Sequence, residues 1–247
     1  MITTNFSLNK IFRILFFFIF SFTILGNIHS TNLLNTKQIE QHQSLKEVRL
    51  NTNIVKSTNK SGKAIEKNIL TQEMLNKKNT RYVILCDYDL NDTEITIPKG
   101  CVLDFQGGTI SNGTIIGNST KIQAKLTKIF NTDVIIKGDW DILSSYPEWF
   151  GAIPLTKDCT TEIQALFNSS FKYFEFTNSF IFKDIKINQS NIYVIGNHIK
   201  QYGNFIIGNI NYALTNVSII NLYLINKDLS KNINLICIYC HNFLKNY

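Results

Sequence analysis

Ser190-Asn-Ile-Tyr-Val-Ile195 and Thr215-Asn-Val-Ser-Ile-Ile220 align with one another at a shift of 25 residues. Each hexapeptide places Asn before a short run of mainly aliphatic and β-branched residues. A further shift of 26 residues leads to an Asn-Phe-Leu segment at 242–244, and residues 112–118 and 204–209 repeat the order of apolar strand and polar turn. Recurrence at a fixed period is the sequence signature of a repeat protein.

A period of about 25 residues, made of short strands without a helix, suits one coil of a right-handed parallel β-helix. One coil cannot bury its inward Ile and Val side chains alone, whereas a stack of coils forms a continuous core. The 38 Ile and 30 Asn residues fit this fold, because Ile favours strands and Asn adopts left-handed corners and forms amide ladders. We therefore predict an all-β, right-handed parallel β-helix. A β-sandwich is the alternative, and it predicts irregular hairpin spacing.

Composition excludes several classes of protein. With 247 residues, 44% hydrophobic and 17% charged, the chain can bury a core and is not a disordered tail. Its five cysteines are an odd number without a tight framework, which excludes a disulfide-stapled miniprotein.

The formal charge of +7 arises before Arg81, because the sequence from Arg81 to Tyr247 contains fourteen basic and fourteen acidic side chains. Such a neutral body lacks a basic stripe, and we predict no nucleic-acid partner.

The N-terminus predicts export. Residues 14–25 form an uncharged apolar run preceded by Lys10 and Arg13, the order found in a secretory signal. As a helix this run covers about 18 Å of a roughly 30 Å hydrocarbon core, so a signal peptide at 1–30 is favoured over a stable membrane span. An uncleaved anchor is the alternative, because the candidate cleavage sites lack a small residue at the minus-three position. We expect a secreted, periplasmic or cell-surface protein.

The rest of the sequence divides into segments of different residue composition. Residues 31–80 are polar and predict a flexible leader, and 81–157 predict an N-terminal β-rich segment. Thr161 and Gln164 have the spacing of a capping box, followed by one apolar face, which predicts a capping helix over 158–172. Residues 173–247 predict β-helix coils. The last coil opens only six residues before the end, so we expect a truncated chain without a polar cap.

Two stretches carry a family resemblance. The first is residues 97–110, followed by Asn-Gly-Thr-Ile-Ile-Gly-Asn at 112–118; the second is Tyr-Pro-Glu-Trp-Phe-Gly-Ala at 146–152, followed by Asp-Cys-Thr at 158–160 and Ile-Gln-Ala-Leu at 163–166. With these segments the chain resembles the pectate-lyase-like superfamily of secreted right-handed β-helix proteins over residues 82–247. The resemblance implies the fold and contact with polysaccharide. It leaves the activity open, since the family includes lyases, hydrolases and tailspike-like binders.

The catalytic groups of such enzymes are missing from the C-terminal coils. Uronate lyases of this fold commonly use Ca²⁺ held by clustered carboxylates and an Arg or Lys base. From Ile185 onward the only carboxylate side chain is Asp228, and there is no Arg. Polygalacturonase-like motifs are absent as well. The remaining catalytic candidates are three acids that lie earlier in the chain, namely Asp139, Asp141 and Glu148.

Two further groups suggest binding. The rings of Trp140, Tyr146 and Trp149 lie near carboxylates and suit stacking against a sugar, although packing against the helix is the alternative. A second acidic cluster could supply oxygen ligands to Ca²⁺, although its sequence also reads as a turn; its members are Asp87, Asp89, Asp92 and Glu94. No other cofactor is predicted.

These observations predict an exported β-helix protein that binds or processes polysaccharide and lacks a complete active site. One alternative is an atypical polysaccharide lyase or glycoside hydrolase that uses the acids at 87–94 or 139–148. The other is a structural or adhesin-like surface solenoid, which a glycan affinity gel would not retain.

Overall fold

A computed structural model describes residues 45–50, 54–58, 64–208, 214–225 and 236–238. These residues form a parallel β-solenoid of about seven turns that contains one α-helix. The predicted all-β solenoid is therefore confirmed. The expected signal peptide at 1–30 and the expected unfinished coil at 242–247 lie outside the described residues.

The secondary structure consists of short strands. In chain order the strands are β1 (Lys46–Arg49), β2 (Ile54–Thr58), β3 (Ala64–Asn68), β4 (Thr80–Ile84), β5 (Tyr88–Asp89), β6 (Glu94–Thr96), β7 (Val102–Phe105), β8 (Ile110–Ser111), β9 (Gly113–Gln123), β10 (Val134–Trp140), β11 (Tyr173–Glu175), β12 (Ile181–Ile187), β13 (Ile192–Ile195), β14 (Lys200–Ile207), β15 (Val217–Ile220), β16 (Tyr223–Leu224) and β17 (Ile236–Ile238). Helix α1 spans Thr160–Asn168, and 3₁₀ turns span Gln72–Leu75 and Pro147–Phe150.

The strands stack in parallel along the faces of the solenoid. One sheet has the order β1-β4-β7-β9-β10, with β6 also paired to β9. A second has the order β11-β13-β15, and a third has β12-β14-β16, with β17 also paired to β14. Strands β5 and β8 pair in parallel, whereas β2 and β3 form an antiparallel pair. The long strand β9 serves two faces, because its first half pairs with β6 and β10 and its second half pairs with β7.

The pairing register confirms the repeat of 25 residues between the segments at 190–195 and 215–220. Ile192 lies opposite Val217, and the next three positions follow in step. Other coils are shorter than this repeat predicts. Arg81 pairs with Val102, and Val102 pairs with Lys121, so fewer residues separate paired positions in these coils. The strands stay in register because the corners absorb the difference in length.

Asparagine has the predicted role at the corners. Asn216 donates a hydrogen bond from Nδ2 to Oδ1 of Asn191 on the preceding coil at 2.8 Å. Both residues have positive φ angles, which Asn tolerates better than other non-glycine residues. Asparagine supplies most of the non-glycine residues with positive φ: Asn79, Asn91, Asn112, Asn191, Asn197, Asn216 and Asn221.

Strand alternation sends every second side chain inward, into one continuous apolar core. Aliphatic residues fill the N-terminal coils, and phenylalanines dominate the C-terminal coils. The Phe205 ring contacts the rings of Phe167, Phe176 and Phe182 at centroid distances of 5.5, 6.2 and 5.4 Å. This cluster joins α1 to the coils that follow it.

Helix α1 covers the free edge of β12, and ten strands precede it in the chain. Its Gln164 accepts a hydrogen bond from Lys186 N at 2.8 Å and donates one to Lys186 O at 2.9 Å. The predicted capping box was wrong. The helix has no side-chain bond at its N-cap, and Asp158 Oδ1 instead accepts from Thr160 N at 2.9 Å. Gln164 bonds to β12 instead of closing a capping box, because the backbone groups on this edge of β12 need hydrogen-bond partners.

Part of the expected leader at 31–80 is strand. Strand β1 pairs in parallel with β4, so the stack includes a coil that precedes the expected boundary at residue 81. Val48 packs against the core and Leu50 is buried in it, which explains why this segment joins the solenoid. Among the residues that the structure describes, no helix has both the length and the apolar character needed to cross a membrane.

Candidate functional site

The outer side of the β11-β13-β15 sheet carries an exposed aromatic surface. The register places Tyr173 beside Tyr193 and Tyr193 beside Ser218, with Ile220 two residues further along β15. We call this surface the tyrosine face; it consists of the outward side chains of Tyr173, Glu175, Tyr193, Ile195, Ser218 and Ile220. Their neighbours Phe174 and Val194 point into the core and are fully buried, as strand alternation requires.

The two tyrosines form a stacked pair at the surface. Their ring centroids are 5.1 Å apart and their planes differ by 11°. Each residue remains 42% exposed, and Ile220 on the same face is 45% exposed. In the described residues the column continues to Ser218 on one side and towards Ser144 on the other, so a third ring covers neither end of the pair. The tyrosine face therefore offers ring surface and hydroxyl groups to a ligand.

A carboxylate lies on the same face. Glu175 Oε1 accepts a hydrogen bond from Asn197 Nδ2 at 2.9 Å. Burial alone would raise the pKa of Glu175, but hydrogen bonds, led by the one from Asn197, outweigh burial and hold the pKa below its ordinary value. Glu175 is therefore ionised at neutral pH and adds a fixed negative charge and hydrogen-bond acceptors to the tyrosine face.

Tyr146 extends this surface by one coil. A bridge between Ser145 and Phe174 places Tyr146 in the register of Glu175. Burial raises the pKa of the Tyr146 phenol, and the negative charges of Glu175 and Glu148 act in the same direction. The phenol thus stays protonated, and it donates its hydrogen bond to Glu175.

The structure places Glu148 in a buried position behind this surface. Glu148 is 6% exposed, and its Oε1 accepts from Asn178 Nδ2 at 2.7 Å and from Thr177 Oγ1 at 3.4 Å. Its Oε2 is buried without a hydrogen-bond partner among the described residues. Of the three acids predicted as catalytic candidates, Glu148 is the one that interacts with the tyrosine face, through Tyr146.

Asp139 and Asp141 have different surroundings. Asp139 is exposed and accepts a hydrogen bond from Ser119 Oγ at 3.0 Å. Asp141 is exposed and lies 3.5 Å from Lys121 Nζ. Neither shares a hydrogen-bond partner with Glu148 in the contacts described. The three acids thus occupy separate settings, two on the open surface and one buried.

Of the predicted aromatic residues, Trp149 is buried in the core, and Trp140 and Tyr146 are half-buried against it. Trp149 is 3% exposed, donates from Nε1 to Lys125 O at 3.2 Å, and meets the Tyr146 ring edge-on at 5.3 Å. Trp140 packs edge-on against Phe171 at 5.6 Å and donates to Lys137 O. Packing therefore accounts for the position of Trp149, while the half-buried Trp140 and Tyr146 keep some surface at solvent.

The four predicted calcium ligands bond to neighbouring coils. Asp87 Oδ1 accepts from Thr109 N at 2.9 Å, and Asp89 pairs with Lys67 Nζ at 2.7 Å. Glu94 lies 3.5 Å from Lys137 Nζ, and the backbone N–H of Asp92 donates to Asn112 O. Within the described part of the chain, no group of three or more His, Cys, Asp or Glu residues is arranged to hold a metal ion.

Sequence reasoning missed the tyrosine face. It identified Tyr146 and Glu148, which lie next to this face, but not Glu175 or the tyrosine pair. One signal was present in the sequence, since Tyr173-Phe-Glu175 and Tyr193-Val-Ile195 both place a tyrosine before an apolar residue. Aligning these two tripeptides with one another would have placed the two tyrosines side by side.

Comparison with known protein families, with curated proteins and with solved structures gives no match to this chain. Its function has to be inferred from its own residues.

Proposed function

We propose that this protein is an exported β-solenoid that binds a polysaccharide on the tyrosine face. The stacked pair of Tyr173 and Tyr193 carries the proposal, because two exposed aromatic rings side by side on one sheet face form the kind of apolar patch that marks a binding surface. Aromatic rings with a polar edge give apolar contact and hydrogen bonding together, which matches the mixed apolar and hydroxylated surface of a sugar.

The surrounding groups support the same ligand class. Glu175 supplies acceptor oxygens and the two stacked tyrosines supply hydroxyl groups, so a ring that packs on the tyrosines has partners for its own hydroxyl groups. The sheet is parallel, and its outward positions stay in register over three coils. An extended chain of sugar units can follow such a surface along the solenoid axis.

Export is the other part of the proposal. It is supported by the apolar run at 14–25 after Lys10 and Arg13, and by the resemblance to a superfamily of secreted β-helix proteins. The polysaccharide would then be met in the periplasm, at the cell surface or outside the cell.

The test is affinity electrophoresis of the full chain through gels that contain neutral, amino or acidic polysaccharides. We expect at least one polysaccharide to retard the protein. Replacing both face tyrosines, Tyr173→Ala with Tyr193→Ala, should remove the retardation. Tyr223→Ala is the matched control, because Tyr223 is an exposed tyrosine on the different sheet that contains β16.

Two other outcomes distinguish the alternative functions. If no polysaccharide retards the protein, polysaccharide binding is rejected and the structural or adhesin-like solenoid is favoured. If new reducing ends or unsaturated products appear and disappear with Glu148→Gln, the protein is an atypical hydrolase or lyase rather than a binder.

A further inference from the structure

The tyrosine face has a local charge opposite to that of the whole chain. The chain carries a formal charge of +7, yet the ionisable side chains around Tyr146 that interact with its phenol are the carboxylates of Glu175 and Glu148. Among the described residues, neither carboxylate forms an ion pair with Lys or Arg, although other acids of the solenoid do. The negative charge of this surface is therefore not neutralised by a neighbouring side chain.

Glu148 strengthens this field from below the surface. Its carboxylate is buried and bonded through Oε1 only, since Oε2 has no partner among the described residues. A buried carboxylate is destabilised by desolvation unless a positive charge or further donors compensate it. A cation bound on the adjacent surface would supply the missing compensation.

Glu175 is the group that a ligand can touch. It is half-buried on the tyrosine face, and Asn197 holds one of its oxygens at 2.9 Å. The hydrogen bonds fix the carboxylate in position beside the tyrosine column before any ligand arrives. A fixed, charged acceptor next to an aromatic surface suits an ammonium group attached to a ring.

We propose that the polysaccharide bound by the tyrosine face is rich in free amino sugars, with an ammonium group on Glu175 and the sugar ring against the tyrosine pair. This inference rests on the proposed function and names its ligand class. Uronate polymers, which the family resemblance would suggest, are disfavoured because their carboxylates would meet the ionised Glu175, which forms no ion pair with Lys or Arg among the described residues. Glu148 acts through its field and not by contact.

The test compares three oligosaccharides of equal length with the full chain: a glucosamine oligomer, its N-acetylated form and an oligogalacturonate. We expect the glucosamine oligomer to bind at least about tenfold more tightly than the N-acetylated form, as one charge-assisted hydrogen bond allows. The oligogalacturonate should bind least. Raising the salt concentration should weaken glucosamine binding and leave the N-acetylated form almost unchanged.

Variants assign the effect to the carboxylates. Glu175→Gln should reduce the preference for glucosamine over its N-acetylated form by about tenfold while keeping binding to the tyrosines. Glu148→Gln should reduce it less, and circular dichroism reports whether this buried variant folds. Glu73→Gln, which changes an exposed acid in the 3₁₀ turn at Gln72–Leu75, is the control and should change nothing.

The outcomes separate the two proposals. Equal binding of charged and N-acetylated oligomers, or preferred binding of the oligogalacturonate, would overturn the amino-sugar inference and leave polysaccharide binding intact. Absence of binding to all three oligomers and to the polysaccharide gels would overturn both.

Discussion

Asn216 Nδ2 donates to Asn191 Oδ1 at 2.8 Å, and these two residues occupy the same corner of consecutive coils. The bond links side chains that are 25 residues apart in sequence but adjacent along the solenoid axis. The backbone adds to the link, since Asn191 N donates to Thr215 O and Ile192 N to Asn216 O. The corner therefore sets the register of β13 and β15.

Replacing Asn191 separates its two contributions. Asn191→Gly keeps the left-handed backbone and loses the amide bond, so the free energy of unfolding should fall by about 1 kcal/mol. Asn191→Ala loses the bond and also strains the positive φ, and should cost about 1 to 2 kcal/mol more. Urea denaturation measures both. Equal stability of the Gly and Ala variants would contradict a role for the left-handed corner.

The phenylalanine cluster predicts a large core effect. Phe205 is fully buried and contacts three other rings, so Phe205→Ala should lower the free energy of unfolding by about 3 to 5 kcal/mol. Tyr193→Ala on the exposed face should cost much less. Thermal unfolding followed by circular dichroism compares them, and similar losses for the two variants would show that the cluster is not a core.

The start of α1 predicts an acid-dependent loss of stability. Hydrogen bonds from Thr160, and then the charge of Lys183, lower the pKa of Asp158 below its ordinary value of 3.8. The folded state therefore favours the charged form. This stabilisation is complete above the ordinary pKa and is lost as the pH falls through the lowered folded value.

Two variants of Asp158 test this predicted loss of stability at low pH. Asp158→Asn keeps an acceptor for Thr160 N but cannot titrate, so its stability should depend less on pH between about 5 and 2 than that of the parent chain. Asp158→Ala should cost about 1 kcal/mol at neutral pH, because it also loses the hydrogen bond at the helix start. Urea midpoints across this pH range are the measurement. A steeper acid dependence for Asp158→Asn would refute the assignment.

Close packing of two coils predicts the effect of a single methyl group. A Cβ at Gly117 would lie 2.6 Å from Asp139 O and 2.6 Å from the Trp140 ring. Gly117→Ala should therefore displace this ring and cost about 1 to 3 kcal/mol. The tryptophan emission should shift to longer wavelength as Trp140 gains water. The shift should vanish in a Trp140→Phe background, because Trp149 lies in the core.

Local sequence predicted the coil that repeats most faithfully and failed where coils differ. Ile192 and Val217 follow identical Asn corners, so their pairing could be read from the sequence. Val102 and Lys121 also pair, but they differ in side-chain type and different residues precede them. No sequence motif predicts that this coil is shorter than the others. The sheet tolerates this variation because hydrogen bonds between strands involve the backbone, whatever the side chains are.

The candidate site shows the same limit. Tyr146 and Glu148 were identified because an aromatic and an acid lie close together in sequence. Glu175 and Tyr193 come from later coils, and only the stacking register brings Glu175 next to Tyr146 and Tyr193 next to Tyr173. The capping box failed for a related reason, since the partner of Gln164 is a strand edge that follows the helix.

The pairing of Gln164 with Lys186 has a consequence for association between molecules. An exposed β edge can recruit a strand from another chain and so begin an aggregate. Here a side-chain amide reproduces the donor and acceptor of a neighbouring backbone, and Thr160 Oγ1 accepts from Lys183 N at 2.8 Å further along the same strand. An incoming strand finds these groups already occupied. The helix thus leaves no open strand edge at Lys183 and Lys186 to which another chain could add a strand.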